Sequence, residues 1–196
     1  MNLPQGWIFD LDGTLTLAQH DFAAIRRELE IPAEEDILDF IAARPVAERQ
    51  RLTRQLDAIE HDLAASVQAA PGAVELLRWL QRQQLPLGIV TRNLRAVALH
   101  TLDTLGVRDC FAEAAVIGRE QALPKPHPQG LLQVLGQWSL APPQAIMVGD
   151  YRFDLEAGRA AGCRTCLLAG QNLWPALADW HRQDCSHLLD TILAGN

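Results

Sequence analysis

The sequence predicts an α/β fold: a doubly wound parallel sheet carrying a small all-α insert after its first strand. Three observations predict it. From residue 71 to about residue 170, short apolar runs alternate with amphipathic helical segments, the pattern that builds parallel sheets with helices on both faces. Each apolar run empties into a polar or charged cluster, as strands do where they reach a loop. Between the first run and the rest lie about fifty residues of helical texture with no strand pattern. The expected division is a core made of residues 1–16 and 71–196, with residues 17–70 inserted into it.

The first strand is Trp7-Ile8-Phe9, stopped by Asp10-Leu11-Asp12-Gly13-Thr14-Leu15-Thr16. Asp10 and Asp12 stand two apart on extended backbone and so share a face. Like charges that close repel, and a hard divalent cation is the commonest remedy. Gly13 permits a tight turn and lets backbone N–H groups approach an anion. Phe22, Ile25 and Leu29 then recur at helical spacing until Ile31-Pro32, and Ile37, Leu38 and Ile41 do so until Arg44-Pro45. Leu52, Leu56, Ile59, Leu63 and Val67 form the apolar stripe of a longer helix, and Pro71-Gly72 punctuates its end.

In the remainder, Ala73 to Gln84 reads as a helix and Leu87 to Thr91 as the second strand. Asn93 is placed to cap a helix over residues 94–105, which Gly106 stops. Ala114 to Ile117 is the third strand, Gln129 to Trp138 a helix, and Ala145 to Val148 the fourth strand, ending in Gly149-Asp150. Leu155 to Ala161 is a short helix closed by Gly162, and Arg164 to Leu168 is the fifth strand. From Gln171 onward the chain is less patterned, with a helix over His187 to Leu193. Neither repeats nor low-complexity tracts occur.

The bulk numbers fit an ordinary soluble globular protein: 196 residues, 48% hydrophobic, 21% charged. A net charge of −7 and a pI near 5.3 argue against a nucleic-acid or anionic-membrane partner. No apolar run approaches the roughly 18–20 residues of a membrane span, and the N-terminus lacks the basic region of a signal peptide. Four cysteines do not make a disulfide framework in a chain of this length. Cys163 and Cys166 are three apart on a strand, so they point to opposite faces and cannot share a zinc ion. They read as core thiols in a reducing cytoplasm, and no protein partner is indicated.

Each strand end carries a reactive group. The first gives Asp10 and Asp12, and the second gives Thr91-Arg92-Asn93. The loop after the third gives Lys125-Pro126, and the fourth gives Gly149-Asp150-Tyr151-Arg152-Phe153-Asp154. Taken singly, Lys125 is a solvated lysine, Thr91 a strand-end cap and Asp154 a first-turn helix acid. As an ordered set they resemble the haloacid dehalogenase superfamily of aspartate-nucleophile phosphohydrolases, over about residues 7 to 170. The resemblance implies a Rossmann-like core whose first and fourth strands are neighbours, bringing Asp10, Asp12 and Asp150 around one Mg²⁺, with Asp154 in support. It implies that Asp10 is the nucleophile and Asp12 the general acid and base, with the Asp12 backbone carbonyl on the metal. Thr91 and Lys125 hold the transferring phosphoryl group. Backbone N–H groups from Leu11 to Gly13, and those after Thr91 at Arg92 and Asn93, bind its oxygens.

In that family an acid at the Asp12 position marks phosphoryl transfer rather than dehalogenation. Gly13-Thr14 is closer to the phosphoglycolate phosphatase branch than to the sugar-phosphate mutases. The insert falls where the family places a helical cap, here with three helices rather than the usual four. Arg44, Arg49, Arg51 and Arg54 cluster in it and read as a solvated face, the alternative being contact with a substrate anion. His20, Asp21 and Arg92 are the other candidate substrate contacts, and His127 reads as a turn residue. The expectation is a cytoplasmic, Mg²⁺-dependent phosphomonoesterase of a small phosphorylated metabolite. The alternatives are a phosphomutase on the same scaffold and a non-catalytic binding relative.

Overall fold

Trp7, Ile8 and Phe9 are fully buried, and with Gly6 they form β1 (Gly6–Phe9), on which both halves of the sheet are hung. A computed structural model of the chain describes residues 3–18 and 22–195, so the candidates His20 and Asp21 lie outside the described residues. Three helices follow β1: α1 (Phe22–Glu28), α2 (Ile37–Ala42) and α3 (Val46–Ala64). After them come α4 (Ala73–Arg82), β2 (Leu87–Val90), α5 (Arg95–Thr104), β3 (Val116–Ile117), α6 (Gln129–Trp138) and β4 (Ala145–Gly149). The chain closes with α7 (Arg152–Ala161), β5 (Arg164–Leu168), β6 (Trp180–Arg182) and α8 (Cys185–Ala194).

All strands pair in parallel, in the order β3-β2-β1-β4-β5-β6. The chain works outward from β1 through β2 to β3, then returns to lay β4 against the other side of β1. That reversal is the topological switch point, where a doubly wound sheet opens a crevice beyond its strand ends. The two-residue period of the strands feeds both layers. Trp7, Phe9, Ile146 and Val148 pack with Leu76, Leu77, Leu102 and Leu188 from α4, α5 and α8. Ile8 and Met147 face the other way, onto Leu131, Val134 and Ala157 from α6 and α7. Cys163 and Cys166 separate in the same manner, one into each layer, and all four thiols are free.

The sequence reading missed one strand. The region from Gln171 contains β6, which pairs Trp180 with Cys166 and Arg182 with Leu168. It is three residues long, half-buried throughout and rich in polar groups, so it carries no apolar run to read. Trp180 nevertheless reaches β1, its ring 6.3 Å from that of Trp7. Three boundaries also move. The helix expected from Leu155 begins at Arg152, and the last helix begins at Cys185. The third strand shrinks to two residues, because a 3₁₀ turn occupies Glu113–Ala115.

The helices α1–α3 enclose their own apolar cluster, Ile25, Leu29, Ile31, Ile37, Ile41, Leu52 and Leu56. Leu52, Leu56, Glu60 and Ala64 are the buried residues of α3, so its inward stripe is rotated from the expected one. Val67 is buried beyond the helix end. The entry and exit of this segment meet. Thr16 and Ala69 form an antiparallel bridge, the Leu17 N–H donates to the Gln68 carbonyl (2.9 Å), and the Ala70 N–H donates to the Leu15 carbonyl (2.9 Å). Farther along, the Thr104 hydroxyl donates to the Ala64 carbonyl (3.1 Å), and His61 stacks on His100 at 5.4 Å. Among the described residues no helix is long and apolar enough to cross a membrane.

Candidate active site

Past Phe9 the backbone stays in the sheet for one residue more, the Asp10 N–H donating to the Val148 carbonyl at 2.9 Å. This fixes the Asp10 side chain beside the end of β4. The chain then coils around one acceptor: the N–H groups of Thr14, Leu15 and Thr16 all donate to the carbonyl of Leu11. The Leu11 side chain is buried. Gly13 has φ +85°, and a Cβ there would lie 2.6 Å from Asp150 Oδ2. Glycine is thus required both for the turn and for the approach of the two loops. Gly149 is as tightly placed, since a Cβ would fall 2.3 Å from the Asp154 side chain.

Lys125 enters from the loop before α6, and its side chain is 2% exposed. Its Nζ lies 2.5 Å from Asp10 Oδ1 and 2.6 Å from Asp154 Oδ1, ion pairs that join the end of β1 to the first turn of α7. The other oxygen of Asp154 accepts the Tyr151 N–H at 3.0 Å. Asp150 Oδ1 accepts the Thr14 hydroxyl at 2.8 Å. Oxygens of Asp10, Asp150 and Asp154 all lie within 4.8 Å of one another.

The electrostatics of this cluster are those of a site short of positive charge. Burial, reinforced by the charges of Asp10 and Asp154, pushes the Asp150 carboxyl up to about 7. Burial also raises Asp154, to about 6, against the pull of Lys125. Burial opposes the charge on Lys125, yet Asp10 and Asp154 hold it above the ordinary lysine range. Three convergent carboxylates facing one ammonium fit a hard divalent cation, which binds oxygen and offsets their repulsion. Asp10 and Asp150 of the sequence-derived set belong to this cluster, and Asp154 joins them. The Asp12 carboxyl is directed elsewhere, its Oδ2 accepting Asn93 Nδ2 at 2.9 Å.

That bond corrects the expectation for Asn93. Leu94 takes the cap position of α5, with no side-chain cap bond. Asn93 lies one residue earlier, where its amide reaches the acid of the neighbouring strand. Its backbone N–H donates to Thr91 Oγ1 at 3.0 Å, so Thr91, 3% exposed, is held at the end of β2. Arg92 Nη2 donates to Asp36 Oδ1 at 2.6 Å, and the guanidinium lies 4.8 Å from the Phe153 ring centroid. Asp36 also caps α2, accepting the N–H groups of Leu38 and Asp39. Although burial opposes it, these bonds, that from Arg92 foremost, hold its carboxyl below the usual range.

Core and helical segment together enclose a cavity of about 610 Å³. Asp10, Asp12, Thr91, Lys125 and Asp150 line it from the sheet, and Ile25, Arg26, Asp36, Leu56 and Glu60 from the helices. The arginines clustered in sequence do not reach it. Arg44 stacks 4.0 Å over the Phe40 ring, and Arg49, Arg51 and Arg54 are exposed. His127 is an exposed turn residue whose Nδ1 accepts the Gln129 N–H.

A charged cluster that the sequence did not suggest completes the wall. Arg119, just after β3, bonds Asp57 Oδ1 at 2.6 Å and Glu60 Oε1 at 3.0 Å, and also the Arg92 carbonyl at 3.0 Å. It thereby ties α3 to the ends of β2 and β3. Burial pushes the Glu60 carboxyl up to about 7 even beside Arg119. Two signals were present: a glutamate one turn after Leu56, and an arginine two residues past a predicted strand.

Fold and site together define an α/β enzyme core with an acid–lysine cluster at its switch point. The sequence model of the haloacid dehalogenase-like hydrolases matches residues 7–168, and the chain belongs to that family. A haloacid dehalogenase-like hydrolase domain-containing protein of Arabidopsis thaliana is 31% identical over 176 residues, covering 84% of this chain and 70% of the relative. The phosphoglycolate phosphatase of Escherichia coli K12 is 30% identical over 200 residues, covering 81% and 79%. Among solved structures, a hydrolase from Pseudomonas syringae shares the fold with a TM-score of 0.82 at 22% identity, covering 98% of this chain and 99% of that one.

Proposed function

We propose that the protein is a Mg²⁺-dependent, cytoplasmic phosphomonoesterase that hydrolyses a small phosphorylated metabolite through an aspartyl-phosphate on Asp10. The observation that carries this reading is the buried Lys125 spanning Asp10 and Asp154, with Asp150 within 4.8 Å, at the end of the two central strands. A named phosphoglycolate phosphatase among the relatives supports the phosphate ester as substrate class.

In this reading an oxygen of Asp10 attacks phosphorus, with Lys125 fixing the carboxylate and countering charge on the transferring group. Thr91 and the turn of Leu11 and Gly13, with the backbone at Arg92 and Asn93, orient the phosphate oxygens. Asp12, held by Asn93, gives its proton to the leaving oxygen and then takes one from the water that opens the acyl phosphate. Asp10, Asp150 and the Asp12 backbone carbonyl would hold the Mg²⁺, with Asp154 in support, and the ion would supply positive charge to the phosphate. The segment 17–70 serves as a cap over the cavity, excluding water and selecting substrate.

Phosphate release by metal-stripped protein, reconstituted with Mg²⁺, with Ca²⁺ or with mixtures, tests the proposal. Mg²⁺ is expected to restore turnover. Ca²⁺, with longer and less strictly directed bonds, is expected to compete for the same carboxylates and depress kcat. Full activity after exhaustive chelation, or no phosphate from any ester tried, would overturn it. Isomerised product in place of free phosphate would indicate the mutase.

Asp12→Asn is expected to slow alkyl phosphates by the roughly 10²- to 10⁴-fold assigned to general acid–base catalysis. The loss should be smaller for p-nitrophenyl phosphate, whose leaving group needs no proton. Equal losses on both esters would count against Asp12 as the acid.

A further inference from the structure

Arg119 holds the backbone on both sides of Asn93. Its own N–H donates to the Asn93 carbonyl at 2.9 Å, and its Nη1 donates to the Arg92 carbonyl at 3.0 Å. The Asn93 N–H, in the same peptide group as the Arg92 carbonyl, donates to Thr91 Oγ1 at 3.0 Å. The neighbouring Glu120 adds a further tie, its two oxygens accepting the Arg95 N–H at 3.1 and 3.2 Å. Both peptide groups that flank Asn93 are therefore fixed, and with them the direction in which its side chain leaves the chain. That side chain gives its Nδ2 to Asp12 Oδ2 at 2.9 Å, the amide end being set by the carboxylate, which only accepts. The three residues follow three different strands: Asp12 comes after β1, Asn93 after β2 and Arg119 after β3.

The guanidinium is itself oriented from α3. Asp57 and Glu60 stand three apart on that helix and so face the same way. Arg119 Nη2 bonds Asp57 Oδ1 at 2.6 Å and Nη1 bonds Glu60 Oε1 at 3.0 Å. Because the arginine fork is planar and rigid, these two bonds set the plane in which Nη1 also meets the Arg92 carbonyl. A lysine could balance the same two acids, but it has no fork with which to hold the loop as well. What the arrangement adds beyond charge balance is a continuous set of bonds from α3 through Arg119 and Asn93 to the Asp12 carboxyl. A general acid works only within hydrogen-bond reach of the atom it protonates, and a displacement of about 1 Å can cost about 10²-fold in rate.

Granting the phosphatase reading above with Asp12 as its acid, on which this inference rests, we propose that Arg119 is a positioning residue for proton delivery. It fixes Asn93, and through the Asn93 amide the Asp12 carboxyl. The Asp12 proton then meets the ester oxygen as the bond from that oxygen to phosphorus breaks and the bond from Asp10 to phosphorus forms. Asp57 and Glu60 take part by holding the guanidinium, which makes α3 a support of the acid as well as a wall of the cavity.

The test uses the full-length protein with Mg²⁺ and two esters of similar shape, phenyl phosphate and p-nitrophenyl phosphate. Phenolate is about as basic as a tyrosine side chain, with a pKa of about 10, and leaves best with a proton, whereas p-nitrophenolate needs none. The quantity compared is kcat/KM, which covers the steps up to departure of the leaving group. Arg119→Gln is expected to lower it about 10²-fold for phenyl phosphate and about 10-fold less for p-nitrophenyl phosphate. In an Asp12→Asn background the same substitution is expected to add no further selective loss, because it acts through that acid. Asp57→Ala loosens the guanidinium while leaving the arginine in place, at a side chain 31% exposed. It is expected to show the same selectivity at about 2- to 5-fold, the scale of a partly exposed ion pair, and it decides the matter if Arg119→Gln folds poorly. Parallel losses on both esters, or a selective loss that persists in Asp12→Asn, would overturn the inference. Wild-type turnover that disappears in Asp10→Asn would confine such a failure to this inference. No turnover of either ester by the wild type would overturn both readings.

Discussion

Asp10→Asn is expected to abolish turnover, by on the order of 10³-fold or more in kcat, while the folded protein survives. The substitution keeps the shape of the side chain and removes the attacking oxygen's charge. Lys125 keeps its second partner, Asp154 at 2.6 Å, so no buried cation is stranded. Removing one of three crowded carboxylates also relieves the repulsion that raises Asp150 and Asp154. The variant should therefore melt close to the wild type in the absence of metal. Phosphate release and thermal melts on the same purified sample check both halves. Near-normal release by a folded Asp10→Asn protein would exclude the covalent mechanism.

Lys125→Met is expected to cost both activity and stability. The side chain is 2% exposed and is bonded to two carboxylates, themselves largely buried. Removing the cation leaves Asp10, Asp150 and Asp154 facing one another in a poorly solvated site. Breaking a buried pair in this way costs about 3–5 kcal/mol, and at ~2–4 °C per kcal/mol for a chain of this size the fall in Tm is of order 10 °C. The loss should be partly reversed by adding Mg²⁺, since the ion supplies charge that the lysine no longer does. It should also shrink as pH falls through the raised carboxyl values of Asp150, about 7, and Asp154, about 6, because protonation relieves the same repulsion. Melts of wild type and variant from pH 5 to 8, with and without Mg²⁺, check this. A Tm unchanged at pH 8 without metal would mean that the cluster is better solvated than its burial indicates.

The first five strands, the helices among them and the acids and lysine that follow the strands were legible in the sequence. They are written in local patterns: a period of two or 3.6, and a polar group where an apolar run stops. The separation of Cys163 from Cys166 follows from the same local rule. The reading of Asn93 as a helix cap used local preference too, and failed because its amide is claimed by Asp12, 81 residues away. β6 escaped because three half-buried residues hold no pattern, and only pairing with β5 makes them a strand.

The sequence by itself thus determined the architecture, the family resemblance and which side chains stand at the strand ends. Tertiary structure alone decided how they are divided. It set Lys125 between Asp10 and Asp154, turned the Asp12 carboxyl toward Asn93, and placed Glu60 of α3 beside Arg119, 59 residues on. Hydrophobic periodicity fixes which face of an element is buried. It does not say which distant charge that face will meet, because ion pairing and desolvation depend on what the folded chain brings within a few ångströms.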